Sequence, residues 1–186
     1  MISQPDFLGG GGQDHSGSEL QVKSPEAELC LRFYIPFGSA QGEPLHQEFA
    51  LLATDIREVI ELSPDRITPI PNTSGLLLGA LNLRGRVIWV VDLGQFLGQG
   101  ITLNTNRSEI PVIAIEEQDT IIGLAVEEIG GMEWLDKKHL TVLKSVSDTM
   151  ASFLQGEWIL ETKKNQCLRL LDHKAILRSA RLLGKN

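Results

Sequence analysis

From Leu29 onward the chain is written in short apolar runs, rich in Val, Ile and Leu and separated by Gly, Pro, Asn and Asp. Runs of that length bounded by turn formers are how β-strands are punctuated, whereas a helix needs longer uninterrupted text. Ser63-Pro64-Asp65, then Pro69 and Pro71, forbid a long helix through the middle of the chain. Proline lacks the amide proton and drives the residue before it toward extended backbone. Many short strands with one helical segment at the end predict a mostly β fold of small barrels rather than a layered α/β sheet.

The individual elements follow from the same punctuation. Leu29 to Phe37 reads as the first strand, Gly38 to Gln47 as a long polar connection, and Glu48 to Ala53 as the returning strand. Ala53 to Glu58 reads as one helical turn, with Asp55 as its cap and Glu58 three residues on. Arg57 to Leu62 continues extended, and Leu76 to Leu83 leads through a turn or bulge at Asn82 to Arg86 into Val87 to Leu93. The run Val87-Ile88-Trp89-Val90-Val91 has no polar member, which predicts burial on both faces. Asp92 caps a short turn over Leu93 to Leu97, and Gly98 to Ser108 is a polar spacer. Ile110 to Ile115 and Thr120 to Glu127 form a hairpin, and Met132 to Leu143 is mixed. Phe153 to Glu161 and Gln166 to Leu171 form a second hairpin around Lys163-Lys164-Asn165. Asp172 caps a closing helix to Leu183, with Ile176, Ala180 and Leu183 on one face and Lys174, Arg178 and Arg181 on the other.

Residues 1 to 27, with the glycine run Gly9 to Gly12, lack hydrophobic periodicity and read as a flexible tail ahead of a domain over 28 to 186. The glycines have neither the lysine of a phosphate loop nor a preceding strand. A net charge of −7 argues against nucleic acid or an anionic membrane as partner. The absence of a long apolar run or a basic-then-apolar leader predicts a cytoplasmic chain with no membrane insertion. Cys30 and Cys167, each inside an apolar run and without a CxxC spacing, read as buried free thiols.

No catalytic constellation emerges. His15, His46, His139 and His173 each lack a second ligand at metal-binding spacing, so neither a metal nor another cofactor is expected. Asp172-His173 reads as a helix cap followed by an exposed cation, since adjacent helical residues point apart and no GxSxG motif accompanies them. The paired acids Glu116-Glu117 and Glu127-Glu128 read as solubilising turn residues. A small-barrel nucleic-acid or ligand-binding module would want a basic, aromatic-lined face, and this chain is acidic with 5% aromatics.

Three segments carry a specific resemblance. Asp55-Ile56-Arg57-Glu58-Val59-Ile60, then Ile67-Thr68-Pro69-Ile70-Pro71, then Leu78-Gly79-Ala80-Leu81-Asn82-Leu83-Arg84-Gly85-Arg86-Val87-Ile88-Trp89-Val90-Val91-Asp92-Leu93, in that order and spacing, resemble the CheW family of chemotaxis coupling proteins. Thr120 to Glu127 and Leu168 to Asp172 extend the match, which spans roughly Leu29 to Leu183. The resemblance implies two intertwined five-stranded SH3-like β-barrels with a C-terminal helix. It implies a non-enzymatic adaptor that couples methyl-accepting receptors to a CheA-type histidine kinase in chemotaxis, phototaxis or type IV pilus motility. The implied partners are the kinase regulatory domain and the chemoreceptor signalling tip, at receptor arrays on the inner membrane. A pathway-specific variant that binds a response regulator, or competes for array sites, is the alternative.

Residue by residue, the family's receptor-contact arginine falls on Arg84 in Asn82-Leu83-Arg84-Gly85, and the exposed edge that meets partners falls around Ile56 and Glu58. Arg84 on a tight turn can present a guanidinium fork to a partner, or form an internal ion pair with Asp92 or Glu58. Gly85 supplies a backbone conformation that side chains disfavour, and Asn82 holds the turn. The chain departs from the family pattern at Trp89, where proline is common, and at Gly94, where arginine is common; the connection from Gly38 to Gln47 is also long. Trp89 either widens an apolar groove or fills the inter-barrel core, and the second reading is favoured.

Overall fold

The computed structural model describes residues 25–40, 43–144, 146–160 and 167–183, with the side chains of 39, 40, 43 and 44 left aside. Within them, strands β1 (Ala27–Ala40), β2 (Glu43–Leu52), β8 (Glu128–Asp136), β9 (Leu154–Ile159) and β10 (Cys167–Leu171) form one five-stranded sheet in the order β8-β1-β2-β10-β9. Strands β3 (Ile56–Leu62), β4 (Leu77–Leu83), β5 (Arg86–Asp92), β6 (Ile110–Glu117) and β7 (Thr120–Ala125) form the other, in the order β3-β6-β7-β5-β4. The helices are two short ones, α1 (Leu93–Phe96) and α2 (Asp148–Ala151), and the closing α3 (His173–Leu183). The mostly β, two-lobed architecture is the predicted one. The second sheet is contiguous in the chain, while the first is assembled from both sides of it.

Strand register decides which residues face which layer. Leu31 opposite Leu51 and Phe33 opposite Phe49 point toward the second lobe. There they pack with Val91, Ile113, Ile115 and Leu124, and with Ile176 and Leu177 of α3, in one shared core. The alternate positions Cys30, Ala50, Leu52, Leu168 and Leu170 surround Trp158 inside the first lobe. Leu81, Ile88, Val90, Val112 and Ala114 fill the second. Strands that lie between two apolar layers are buried on both faces, and therefore read in the sequence as unbroken runs.

Four local readings are corrected. Gly38 to Gln47 is mostly strand: β1 runs to Ala40 and β2 begins at Glu43, with a bulge between Pro36 and Gly38. Backbone pairing continues through Ser39↔Pro44 and Ala40↔Glu43, while Phe37, Leu45 and His46 are exposed; the tip at 41–42 lies outside the described residues. The run Val87 to Val91 is buried on one side, because the first lobe covers the outer face of the second sheet only as far as Val91; Val87 is 74% exposed and Trp89 39%. Ala53–Asp55 is a short 3-10 turn without a side-chain cap, and Glu58 belongs to β3. His173 is buried rather than an exposed cation, with its Nδ1 lying 2.8 Å from Asp55 Oδ2. The mixed segment from Met132 resolves into the end of β8 and a 3-10 turn at Lys137–His139. Residues 1–24 of the tail, and the turn at 163–165, lie outside the described residues.

Two of the three expected aspartate caps are found. Asp92 accepts from Gln95 N (3.1 Å) and Asp172 from Ala175 N (3.0 Å). Gly79 is obligatory for a different reason: its φ is 151° and a Cβ there would sit 2.3 Å from Thr68 O, where Thr68 and Ala80 exchange backbone hydrogen bonds. Gly79→Ala should lower the unfolding free energy by about 2 kcal/mol or more, through backbone strain and the lost pairing. An unchanged denaturation midpoint would mean that the Thr68–Ala80 pairing is not formed.

Cys30 is fully buried, and burial, reinforced by nearby Glu28, pushes its thiol from the ordinary 9.0 up to about 11. Iodoacetamide at pH 8 should modify Cys30 only after unfolding. Because the folded value is raised, the unfolded chain loses this proton first. The stability it contributes is complete below pH 9.0 and is lost progressively as pH rises toward about 11.

Candidate protein-docking surface

Strands β4 and β5 are joined by the two-residue turn Arg84-Gly85, with Leu83 opposite Arg86 and Asn82 opposite Val87. Both turn residues have positive φ, 49° at Arg84 and 85° at Gly85, the backbone of a type I′ hairpin. Asn82 Oδ1 accepts from Gly85 N at 2.9 Å and closes the turn. The chemistry of this turn favours Asn, Asp or Gly at its first central position. An arginine there costs about 1 kcal/mol or more in the left-handed region.

The Arg84 side chain is 76% exposed and lies against Glu58 of β3, with Nε 3.1 Å and Nη2 3.0 Å from Glu58 Oε2. Strands β3 and β4 are the two edges of the second sheet. The pair therefore spans the seam where that sheet curls toward closure. Of the two internal partners open to Arg84 on sequence, Glu58 is the one found. Asp92 is buried and accepts from Gln95 N and from Leu103 N (2.7 Å); burial raises its carboxyl pKa and those backbone donors oppose the rise. Arg57 and Arg86 both reach Glu116 on β6, so arginine outnumbers glutamate three to two along this rim.

The structure thus brings Arg84, Glu58, Asn82 and Gly85 together and leaves Ile56 out. Ile56 is half-buried and packs on the shared core, because a bulge between Ile56 and Glu58 turns the strand there. Trp89, expected in the inter-barrel core, is found at the surface. It stands over a cleft of about 140 Å³ between β5, β7 and α3, with Leu77, Val91, Ile122, Ala180 and Leu183. Arg181 Nη2 donates to Thr120 Oγ1 at 2.7 Å and ties α3 to the edge of this cleft. The sequence signal for Trp89 is ambiguous, since an all-apolar run does not reveal which alternate positions are covered. Gly94 is buried in α1 beside Pro36 and Asp92.

The arrangement is an exposed guanidinium rim beside an apolar strip of Val87 and Trp89, which is the composition of a protein contact. Among the described residues, no group of three or more His, Cys, Asp or Glu side chains is placed to hold a metal ion. No described helix is long and apolar enough to cross a membrane.

The model of the CheW-like domain matches residues 45–181. The chain belongs to the CheW-like domain family. The chemotaxis protein CheW of Rhizobium meliloti is 29% identical over 127 residues, covering 68% of this chain and 79% of that one. Protein PilI of Pseudomonas aeruginosa is 35% identical over 103 residues, covering 55% of this chain and 47% of PilI. Among solved structures, the scaffolding protein TtCheW from Thermoanaerobacter tengcongensis superposes with a TM-score of 0.60 at 22% identity, over 78% of this chain and 89% of that one. The CheW-like match begins at 45 and so omits β1, although β1 pairs with both β2 and β8 in the first sheet.

Two small effects oppose each other at the CheW-like turn: Arg84→Gly removes an exposed ion pair worth under about 1 kcal/mol and relieves a left-handed arginine. The unfolding free energy should therefore change by less than about 1 kcal/mol. A larger loss in a denaturant titration would make the Arg84–Glu58 pair a structural clasp.

Proposed function

We propose that this chain is a non-catalytic adaptor that couples a methyl-accepting receptor to a CheA-type histidine kinase, in chemotaxis or type IV pilus signalling. Family membership supports the class of function. The observation that carries the residue assignment is Arg84. It is a mostly exposed arginine held at positive φ, on a turn whose chemistry favours Asn, Asp or Gly. Backbone strain retained at an exposed side chain favours a role for that side chain outside the fold.

In this reading Arg84 contacts the receptor signalling tip, with Glu58 orienting the guanidinium and Asn82 and Gly85 shaping the turn. Ile56 contributes from beneath, by seating the first residue of β3 on the core. Val87 and Trp89 supply the apolar part of the contact, in the manner of a helix laid into a groove. The coupling unit runs from β1, which begins at Ala27 rather than 28, the residues ahead of it are a separate tail, and the protein works at receptor arrays on the cytoplasmic side of the inner membrane.

Arg84→Glu should abolish co-purification with the receptor while kinase binding and the denaturation midpoint stay near wild type. Trp89→Ala, a hot-spot truncation of about 2 kcal/mol, should weaken receptor binding roughly 30-fold. Receptor binding unchanged by both substitutions would remove this surface from the receptor contact. Capture of a response regulator in place of receptor and kinase would overturn the coupling role itself.

A further inference from the structure

The cleft between β5, β7 and α3 leaves apolar surface open beside Trp89, which is 39% exposed. Leu77, Val91, Ile122 and Leu183 wall it, and Ala180 is the small residue that α3 places there. Its volume of about 140 Å³ is close to the ~150 Å³ of an apolar cavity that holds one benzene ring. The space therefore suits a single phenyl group, to which Trp89 offers an aromatic neighbour.

The lip of the cleft is positively charged. Arg181, one of the lining residues, donates through Nε (3.1 Å) and Nη2 (2.7 Å) to Thr120 Oγ1. A hydroxyl leaves the guanidinium charge unmatched, and among the described residues Arg181 forms no ion pair, whereas Lys174 on the same helix pairs with Glu117. α3 contains no acidic residue of its own. An occupant that carries a carboxylate next to a phenyl ring would meet both features of the cleft.

The chain contains such a segment. Every large apolar residue outside the described ones lies in residues 1–24: Met1, Ile2, Phe7, Leu8, Leu20 and Val22. Phe7 is the one aromatic ring of that stretch, Asp6 precedes it, and Gly9 to Gly12 separate it from the rest of the tail. Cys30 of β1 pairs with Leu52, just before β3, and Ile56, Ile115, Ile122 and Trp89 lie side by side across the second sheet. With about 5 Å between paired strands and ~3.8 Å per residue along the chain, Ala27 lies within about 50 Å of Trp89, and the chain from Phe7 to Ala27 spans up to about 65 Å. Phe7 can therefore reach the cleft of its own molecule.

We propose that the first residues of this chain dock on its own cleft, with the Phe7 ring between Trp89 and Ala180 and the Asp6 carboxylate on Arg181. A weak contact suffices, because the tether supplies the segment at an effective concentration on the order of mM. The docking stands on the cleft and the segment alone. Its consequence rests on the receptor contact proposed above: Trp89 belongs to both, so a docked tail and a bound receptor compete.

Two-dimensional NMR of the full chain tests it. The Trp89 indole and Ala180 methyl signals should differ between wild type and Phe7→Ser. A synthetic peptide of residues 1–12 added to the Phe7→Ser chain should restore them saturably, with a Kd on the order of 1 mM. The same peptide should bind the Phe7→Ser/Arg181→Glu chain about tenfold more weakly, and an Asp6→Arg peptide should recover that loss. Cleft signals unmoved by Phe7→Ser would overturn the proposal, as would the absence of a saturable peptide shift up to about 10 mM. Signals that follow Leu20→Ser/Val22→Ser instead of Phe7→Ser would overturn it too. Wild-type signals that revert on dilution would put a second copy's tail in the cleft and overturn docking within one molecule. Phe7→Ser should also raise receptor affinity severalfold; an unchanged affinity beside intact docking signals would sink the receptor contact assigned to Trp89 and leave the docking standing.

Discussion

Everything in this molecule rests on one apolar layer shared by two sheets. Phe33, Phe49, Leu31 and Leu51 from the first lobe meet Val91, Ile113, Ile115 and Leu124 from the second. Full burial of each such side chain is worth about 1.5–3 kcal/mol relative to exposure. Each lobe also has an interior of its own, but these are small, and a five-stranded sheet with a small interior is marginal alone. The lobes therefore stabilise each other. Their relative orientation is fixed by close packing of large side chains from both lobes in that one layer, where Phe33 and Phe49 of the first lobe stack at 6.2 Å between ring centroids.

The chain crosses between lobes beside that layer, and polar side chains hold the crossings. Asp55 stands where the chain leaves the first sheet for the second, and His173 stands where it leaves the first sheet for α3, so their contact pins two crossings together. Asp92 ends β5 and gathers the amides of Gln95 and Leu103, which folds the segment after α1 back over the lobe boundary. A buried carboxylate is tolerated there because backbone donors satisfy it.

What was legible in the sequence was what depends on local chemistry. The short runs between Gly and Pro, the aspartate caps at 92 and 172, and the Asn82–Gly85 turn each need only neighbours in the chain, and each was read correctly. What was not legible depends on which surface a distant element covers. Val87 and Trp89 look like core because nothing in their own run says that the first lobe stops short of them. His173 looked solvent-facing because its partner, Asp55, is more than a hundred positions away. The outer end of the β1–β2 ribbon reads as a connection because Phe37, Leu45 and His46 are exposed there and give no hydrophobic period. Of the candidate site, the turn was found from sequence, but Ile56 was misplaced because a bulge shifts the face on which a strand residue falls.

The contrast between the two arginine–glutamate pairs separates surface from interior function. Arg84 and Glu58 meet at the rim, where water screens the pair; its contribution to stability is small, and its guanidinium can be transferred to a partner at little cost. Arg169 and Glu157 meet where water is largely excluded, so each unsatisfied atom there is expensive and neither charge can be removed alone without stranding the other. The same residue types thus serve opposite ends. Exposed and strained, the rim pair leaves a guanidinium that can change its partner at little cost in stability. Buried, the other pair ties β10 to β9, and neither of its charges can leave without stranding its partner.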